Sequence, residues 1–292
     1  MINSKTNLEE KLPYPSFLAS ELGETDPDQA LFHVIPVPYE KTVTYGEGTK
    51  KGPSAILTAS QQLELYDGFG IPGEKGIYTE APHNCSGSPD TVLDSLAARV
   101  KAIVAQKKIP VVLGGEHTVT SGALMGVVSA LGPVGVIQFD AHGDLRDRYE
   151  GSRHNHACTM RRVLDQGHTL FQMGVRSLSP KEVQYRRDQA IAHLDAVDLN
   201  RGGIPERMLP EDFPENIYIT IDVDCLDPSI MPSTGTPEPG GVTWYQMIDA
   251  LKEIVMGKRV VGFDVVELAP IPGFHAPDYA IARLVYQLMG LV

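Results

Sequence analysis

Three short polar clusters follow apolar runs in this sequence. Gly114-Gly115-Glu116-His117 comes after IPVVL, Asp140-Ala141-His142-Gly143-Asp144 after VGVIQF, and Asp222-Val223-Asp224 closes the run NIYITID. Alternate side chains of an extended segment share a side. Asp140, His142 and Asp144 are therefore expected to converge, separated only by the small Ala141 and Gly143. Unpaired charges at the end of a buried strand are costly, and Arg146 is the one basic residue close by. Asp222 lies inside an apolar stretch, so partial burial is expected. Two carboxylates two residues apart repel unless a cation or a proton holds them. Plainer readings compete. GGEH could be a helix-start turn with an incidental histidine, the second cluster a set of salt bridges, and the third a turn cap. Asp227 in LDPS suits that capping job better.

Taken together, His117, Asp140, His142, Asp144, Asp222 and Asp224 form a mixed nitrogen and oxygen set. Six such residues exceed what one tetrahedral zinc takes. Carboxylates with imidazoles suit Mn²⁺, with Fe, Co or Zn as alternatives. The number fits two ions roughly 3.5–4 Å apart with shared carboxylates, a pair that turns water into hydroxide near neutral pH. The chemistry reached from the residues is metal-assisted hydrolysis.

Something must bring the three clusters together. Strand-type runs occur at 31–37, 109–113, 134–139, 170–175, 216–223 and 259–266. They are continuously apolar, as strands buried on both faces of a parallel sheet are. Helical segments are expected between them at 52–66, 91–106, 243–256 and 277–291. Pro53 suits a first turn, and Thr243 and Asp278 are candidate early-turn acceptors. Alternating β and α elements predict an α/β fold, a three-layer α/β/α sandwich. Ligands then bind beyond the carboxyl ends of the strands, where the three clusters fall. Residues 200–215 read as a surface loop. No linker divides the chain, so 1–292 is expected to be one domain, with 1–28 an N-terminal extension packed on or flanking it.

With 25 Lys+Arg against 37 Asp+Glu, the net charge is −12. That argues against nucleic acid and anionic membrane surfaces and fits a cationic small molecule. The apolar content, 42%, can fill a core. No apolar run is long enough to span a bilayer, and no secretory leader is expected. Cys85, Cys158 and Cys225 are few and widely spaced, which suits a reducing cytoplasm.

GGEH, FDAHGDLRD, IDVDCLDPS, STGTPEPGG and DVVELAP resemble, in this order, signature motifs of the ureohydrolase family, the arginases, agmatinases and their relatives. The stretch DLRDRYEGSRHNHACTMRR is most similar to the bacterial and archaeal agmatinase branch, and the likeness runs from GEGTKKGPSAI (46–56) to the last helix. The resemblance implies a mainly parallel eight-stranded sheet and two Mn²⁺ per subunit. It places His117, Asp140, Asp144 and Asp222 at one ion and Asp140, His142, Asp222 and Asp224 at the other. His156 would position substrate and pass a proton to the leaving amine, with His154 a neighbour able to compete. Glu267 would pair with the guanidinium, Thr236 would contact substrate, and Asp224 would also hydrogen-bond the nucleophile. A homo-oligomer, trimer or hexamer, is implied.

The expected reaction is agmatine plus water giving putrescine and urea, a step of polyamine biosynthesis. Arginase, guanidinobutyrase or other guanidine hydrolysis is the alternative. A one-zinc deacetylase or a silent binding protein fits the complete ligand set less well. Several positions depart from the family pattern. Arg146 stands where arginases carry an Asn, GGEH replaces the commoner GGDH, Cys225 replaces a common Gly, and Lys50-Lys51 replace an Arg-containing turn. Cys225 is read as a small buried filler, and His168 as a surface-loop histidine.

Overall fold

The computed structural model describes residues 13–292, so the first twelve residues of the expected N-terminal extension lie outside it. Eight strands form one sheet: β1 (Phe32–Val37), β2 (Ile77–Thr79), β3 (Ile109–Gly114), β4 (Gly135–Phe139), β5 (Thr169–Met173), β6 (Ala192–Leu194), β7 (Asn216–Asp222) and β8 (Arg259–Val266). Their order is β2-β1-β3-β8-β7-β4-β5-β6, and every neighbouring pair is parallel. Nine α-helices accompany them among the described residues: α1 (Ala19–Leu22), α2 (Gly52–Ser60), α3 (Pro89–Ala105), α4 (Val119–Leu131), α5 (Thr159–Asp165), α6 (Pro180–Asp188), α7 (Ala196–Gly202), α8 (Trp244–Val255) and α9 (Ala276–Leu291).

The sheet is buried on both sides. Val111, Leu113, Ile137, Phe139, Ile219 and Phe263 pack with α2, α8 and α9. Val112, Val136, Tyr218 and Val261 pack with α3, α4 and α5. Adjacent residues on a strand point to opposite faces, so strands that serve two cores read as unbroken apolar runs. The result is the expected three-layer sandwich. Of the extension, residues 13–28, Phe17 and Leu18 are buried, their backbone N–H groups donating to Thr79 Oγ1 at 2.8 Å and Ser60 Oγ at 2.9 Å.

Several expectations need correction. The helix expected over 52–66 stops at Ser60. The loop expected over 200–215 begins inside α7. The missed strands β2 and β6 are three-residue pieces near or at the sheet edges. Thr243 does cap α8, sharing reciprocal bonds with Gln246. Asp278 caps nothing, and its Oδ1 is buried without a partner. His168 is no surface residue: it is buried, and its Nδ1 accepts the Val134 N–H at 3.1 Å.

What positions the site is the strand order. β3 and β4 are consecutive in sequence yet stand apart, with β8 and β7 inserted between them. The chain leaving β3 and the chain leaving β4 therefore diverge, and a crevice opens at the carboxyl ends of the four central strands, as happens where the winding of an open α/β sheet reverses.

Candidate metal centre and substrate pocket

Each central strand delivers part of the site. His117 follows β3, Asp140, His142 and Asp144 follow β4, Asp222 ends β7 with Asp224 just beyond, and Glu267 follows β8. The tight passage after β3 needs its glycines for close packing rather than for a turn. A side chain at Gly115 would collide with the Tyr39 backbone, and one at Gly114 with Val266 and Val119. The chain after Phe139 is not extended as expected, and Asp144 takes a left-handed conformation, φ 52°. The three side chains do not gather at one point: Asp140 meets Asp144 in one donor group and His142 in another.

Two groups of donors result. His117, Asp140 and Asp144 bring one ligand atom each within 4.8 Å of one another, as do Asp140, His142 and Asp224. Asp140 belongs to both. Asp222 approaches the first group, its Oδ2 at 3.5 Å from His117 Nδ1. That Nδ1 lies 3.2 Å from Asp140 and 3.2 Å from Asp144, yet it is buried and makes a well-formed hydrogen bond to none of them. His117 Nε2 sits 2.9 Å from Thr220 Oγ1. A buried nitrogen aimed between three carboxylates, its far nitrogen held by a hydroxyl, fits a cation ligand with an oriented imidazole.

Electrostatics agree. Burial disfavours a charged His117, but Asp140, Asp144 and Asp222 outweigh it and hold the imidazole well above its ordinary range. Burial likewise opposes charge on His142, and Asp224 and Asp140 raise it to about 12. Burial and the neighbouring Asp140 push Asp144 up to about 6. Burial first, then Asp224 and Asp140, raise Asp222 far above a normal carboxyl. This is a cluster of like charges short of positive charge.

Above it lies a cavity of about 300 Å³ lined by His142, Asp144, Asp222, Asp224, His156, Thr236 and Glu267, with Arg146 and Tyr149 on its wall. His117 and Asp140 lie fully buried and outside the lining. Glu267 Oε1 accepts the His117 backbone N–H at 2.7 Å, and burial followed by Glu116 raises its carboxyl well above the usual range. His156 faces this cavity, whereas His154 turns away to Asp90 Oδ1 at 2.9 Å. The Arg146 guanidinium lies over the Tyr149 ring, 4.7 Å from its centre, with Nε 3.7 Å from Glu182. Cys225 is fully buried, its Sγ near Met173 O at 3.7 Å.

Four supporting residues escaped the reading of the sequence. Thr220 donates to Asp264 Oδ1 at 2.5 Å, so Asp264 braces the hydroxyl behind His117. Its signal was available: an acid inside the run RVVGFDVV. Glu116 binds the 41–42 backbone. Arg176 holds the backbone carbonyls of Asp224 at 2.8 Å and Glu238 at 2.7 Å.

An all-parallel α/β sandwich with Asp and His clustered at the carboxyl ends of three central strands, and a Glu at the fourth, is the framework of a metal-dependent hydrolase. A sequence profile of the Arginase family matches residues 30–290, and the chain belongs to that family of ureohydrolases. It is 38% identical over 285 residues to an N(1)-aminopropylagmatine ureohydrolase of Synechocystis, covering 94% of this chain and 92% of that one. It is 32% identical over 276 residues to an agmatinase of Pyrococcus horikoshii, covering 93% and 95%. The solved structure of an agmatine ureohydrolase of Thermoplasma volcanium superposes with a TM-score of 0.82 at 28% identity, over 96% and 94% of the two chains. No helix among the described residues is long and apolar enough to cross a membrane.

Proposed function

We propose that this protein releases urea from a guanidinoalkylamine, with agmatine giving putrescine as the reference reaction. The observation that carries the reading is the pair of donor groups sharing Asp140 beneath a cavity walled by Glu267 and His156. His117, Asp140, Asp144 and Asp222 would hold one ion and Asp140, His142, Asp222 and Asp224 the other, two Mn²⁺ in all. When bound, such a pair activates water and polarises the guanidinium carbon. The chain's own residues do the rest. Glu267 accepts the planar guanidinium, an arrangement natural for two N–H···O bonds. Asp224 accepts a hydrogen bond from the attacking water, and Thr236 orients the substrate. His156 protonates the departing amine, which leaves poorly as an anion.

The name of the Synechocystis relative supports a second substrate, N(1)-aminopropylagmatine, which carries the same guanidinium on a longer polyamine. A urea-release assay with Mn²⁺ across agmatine, N(1)-aminopropylagmatine, arginine and 4-guanidinobutyrate tests both. Turnover of either amine above the two acids is expected, and preference for an acid would overturn the amine assignment. A single ureohydrolase domain, assembled as a cytoplasmic homo-oligomer, a trimer or hexamer, completes the proposal. Light scattering on the purified protein checks the assembly.

A further inference from the structure

The His156 ring is held on both sides by threonine hydroxyls of the 40–44 segment. Glu116 is completely buried behind the 40–44 segment. Its Oε1 accepts the Thr42 hydroxyl at 2.6 Å and the Thr118 hydroxyl at 2.6 Å. Its Oε2 accepts the Thr42 backbone N–H at 2.7 Å and that of Lys41. A carboxylate with four donors acts as acceptor only. The Thr42 hydroxyl has a single hydrogen, and the short bond to the carboxylate claims it.

Thr42 Oγ1 can therefore only accept from its other neighbours. One is the His156 backbone N–H at 3.1 Å, and the other is His156 Nδ1 at 3.3 Å. On the far side of the ring, Nε2 lies 2.9 Å from Thr44 Oγ1. Neutral imidazole carries one hydrogen. If Nδ1 faces an oxygen that has no hydrogen left to give, that hydrogen sits on Nδ1.

We infer that Glu116 and Thr42 are positioning residues that hold neutral His156 as its Nδ1–H tautomer, leaving Nε2 as the atom that gains and gives the transferred proton. The inference rests on the proposed role of His156 in urea release. In that step the imidazolium Nε2–H goes to the amine nitrogen as the C–N bond breaks, and the bonding pair stays on that nitrogen. The ring returns to Nδ1–H, and the hydroxyl proton of the tetrahedral carbon restores the imidazolium as the urea carbonyl forms. Thr44 supplies a hydroxyl that donates to bare Nε2 and turns to accept once Nε2 is protonated.

The test is ¹⁵N–¹H correlation spectroscopy of histidine-labelled protein loaded with diamagnetic Mg²⁺, His156 being assigned by its loss in His156→Asn. An Nδ1–H tautomer is expected in the wild type and in Thr42→Ser, and a shift toward Nε2–H in Thr42→Val. In urea-release kinetics, Thr42→Val should lower kcat by about 10²-fold, the low end for a general acid. KM and metal content should hold, and Thr42→Ser should restore kcat. An Nε2–H tautomer in the wild type overturns the inference, as does Thr42→Val with wild-type tautomer and kcat. Absence of urea from every guanidino compound, with the Nδ1–H signal present, overturns the functional reading alone.

Discussion

Asp140 is the residue on which the candidate centre turns. It stands in both donor groups, accepts the Gln138 amide at 2.7 Å and the His142 N–H at 2.6 Å, and is fully buried. A side chain shared by two ions cannot be lost from one alone. Asp140→Ala is expected to abolish binding of both ions and all turnover. Elemental analysis of the purified variant checks it, and one or more ions per subunit would contradict the sharing. His156 makes the opposite case. It contacts Thr42 and Thr44 and falls in neither donor group. His156→Ala should keep wild-type metal content while the rate falls by about 10²–10⁴-fold, the range for a lost general acid. An unchanged rate would give the proton transfer to another group.

At the scale of elements, α4 shows how helix and strand carry the site. It begins two residues after His117 and packs along α3. Side chains at Gly122 and Gly126 would press into the α3 backbone at Leu93, Ala97 and Lys101. The two helices can lie this close only because both positions lack a Cβ. Gly126→Val forces α4 away from α3 and pulls on the turn that aims His117. A loss of about 1–3 kcal/mol, typical of overpacking, is expected in denaturant unfolding, with weakened metal binding. A stability within error of wild type would show that the helices yield without strain.

The same element explains what the sequence does and does not disclose. VTSGALMGVVSAL is rich in glycine and β-branched residues, which local propensity does not read as helix, and tertiary contact decides it. The six long strands were legible because burial on two faces leaves a continuous apolar signature. β2 and β6, three residues each, are too short to show one. The metal-ligand candidates were legible as acids and histidines at strand ends. The Glu116–Thr42–His156 connection was not, because it joins positions 114 residues apart through hydrogen bonds that only the folded backbone creates.

For the whole molecule the net charge is −12, and part of the acidity lies where it is least tolerable: Asp140, Asp144, Asp222, Asp224 and Glu267 are all buried. In the metal-free protein protons do the compensating. Folded Asp144 keeps its proton up to about 6, whereas an unfolded Asp loses it near 3.9. The folded state therefore binds more protons in that window, and stability falls as pH rises through it. His117 and His142, raised above the unfolded histidine value near 6.5, contribute in the same sense. Their stabilisation is complete below that value and is lost as pH climbs through the raised folded one.

Metal ions reverse the sign. Ligation needs neutral imidazoles and ionised carboxylates, so affinity grows with pH and binding releases protons. Each ion held at 100 times its dissociation constant adds about 2.7 kcal/mol. Calorimetric melting between pH 5 and 8, with chelator and with Mn²⁺, should show Tm falling with pH in the first case. The gap between the two conditions should widen toward pH 8. A gap that stays constant over this range would mean that protons and metal ions do not compete for these side chains, and the assignment of His117, His142 and Asp144 as ligands would fail with it.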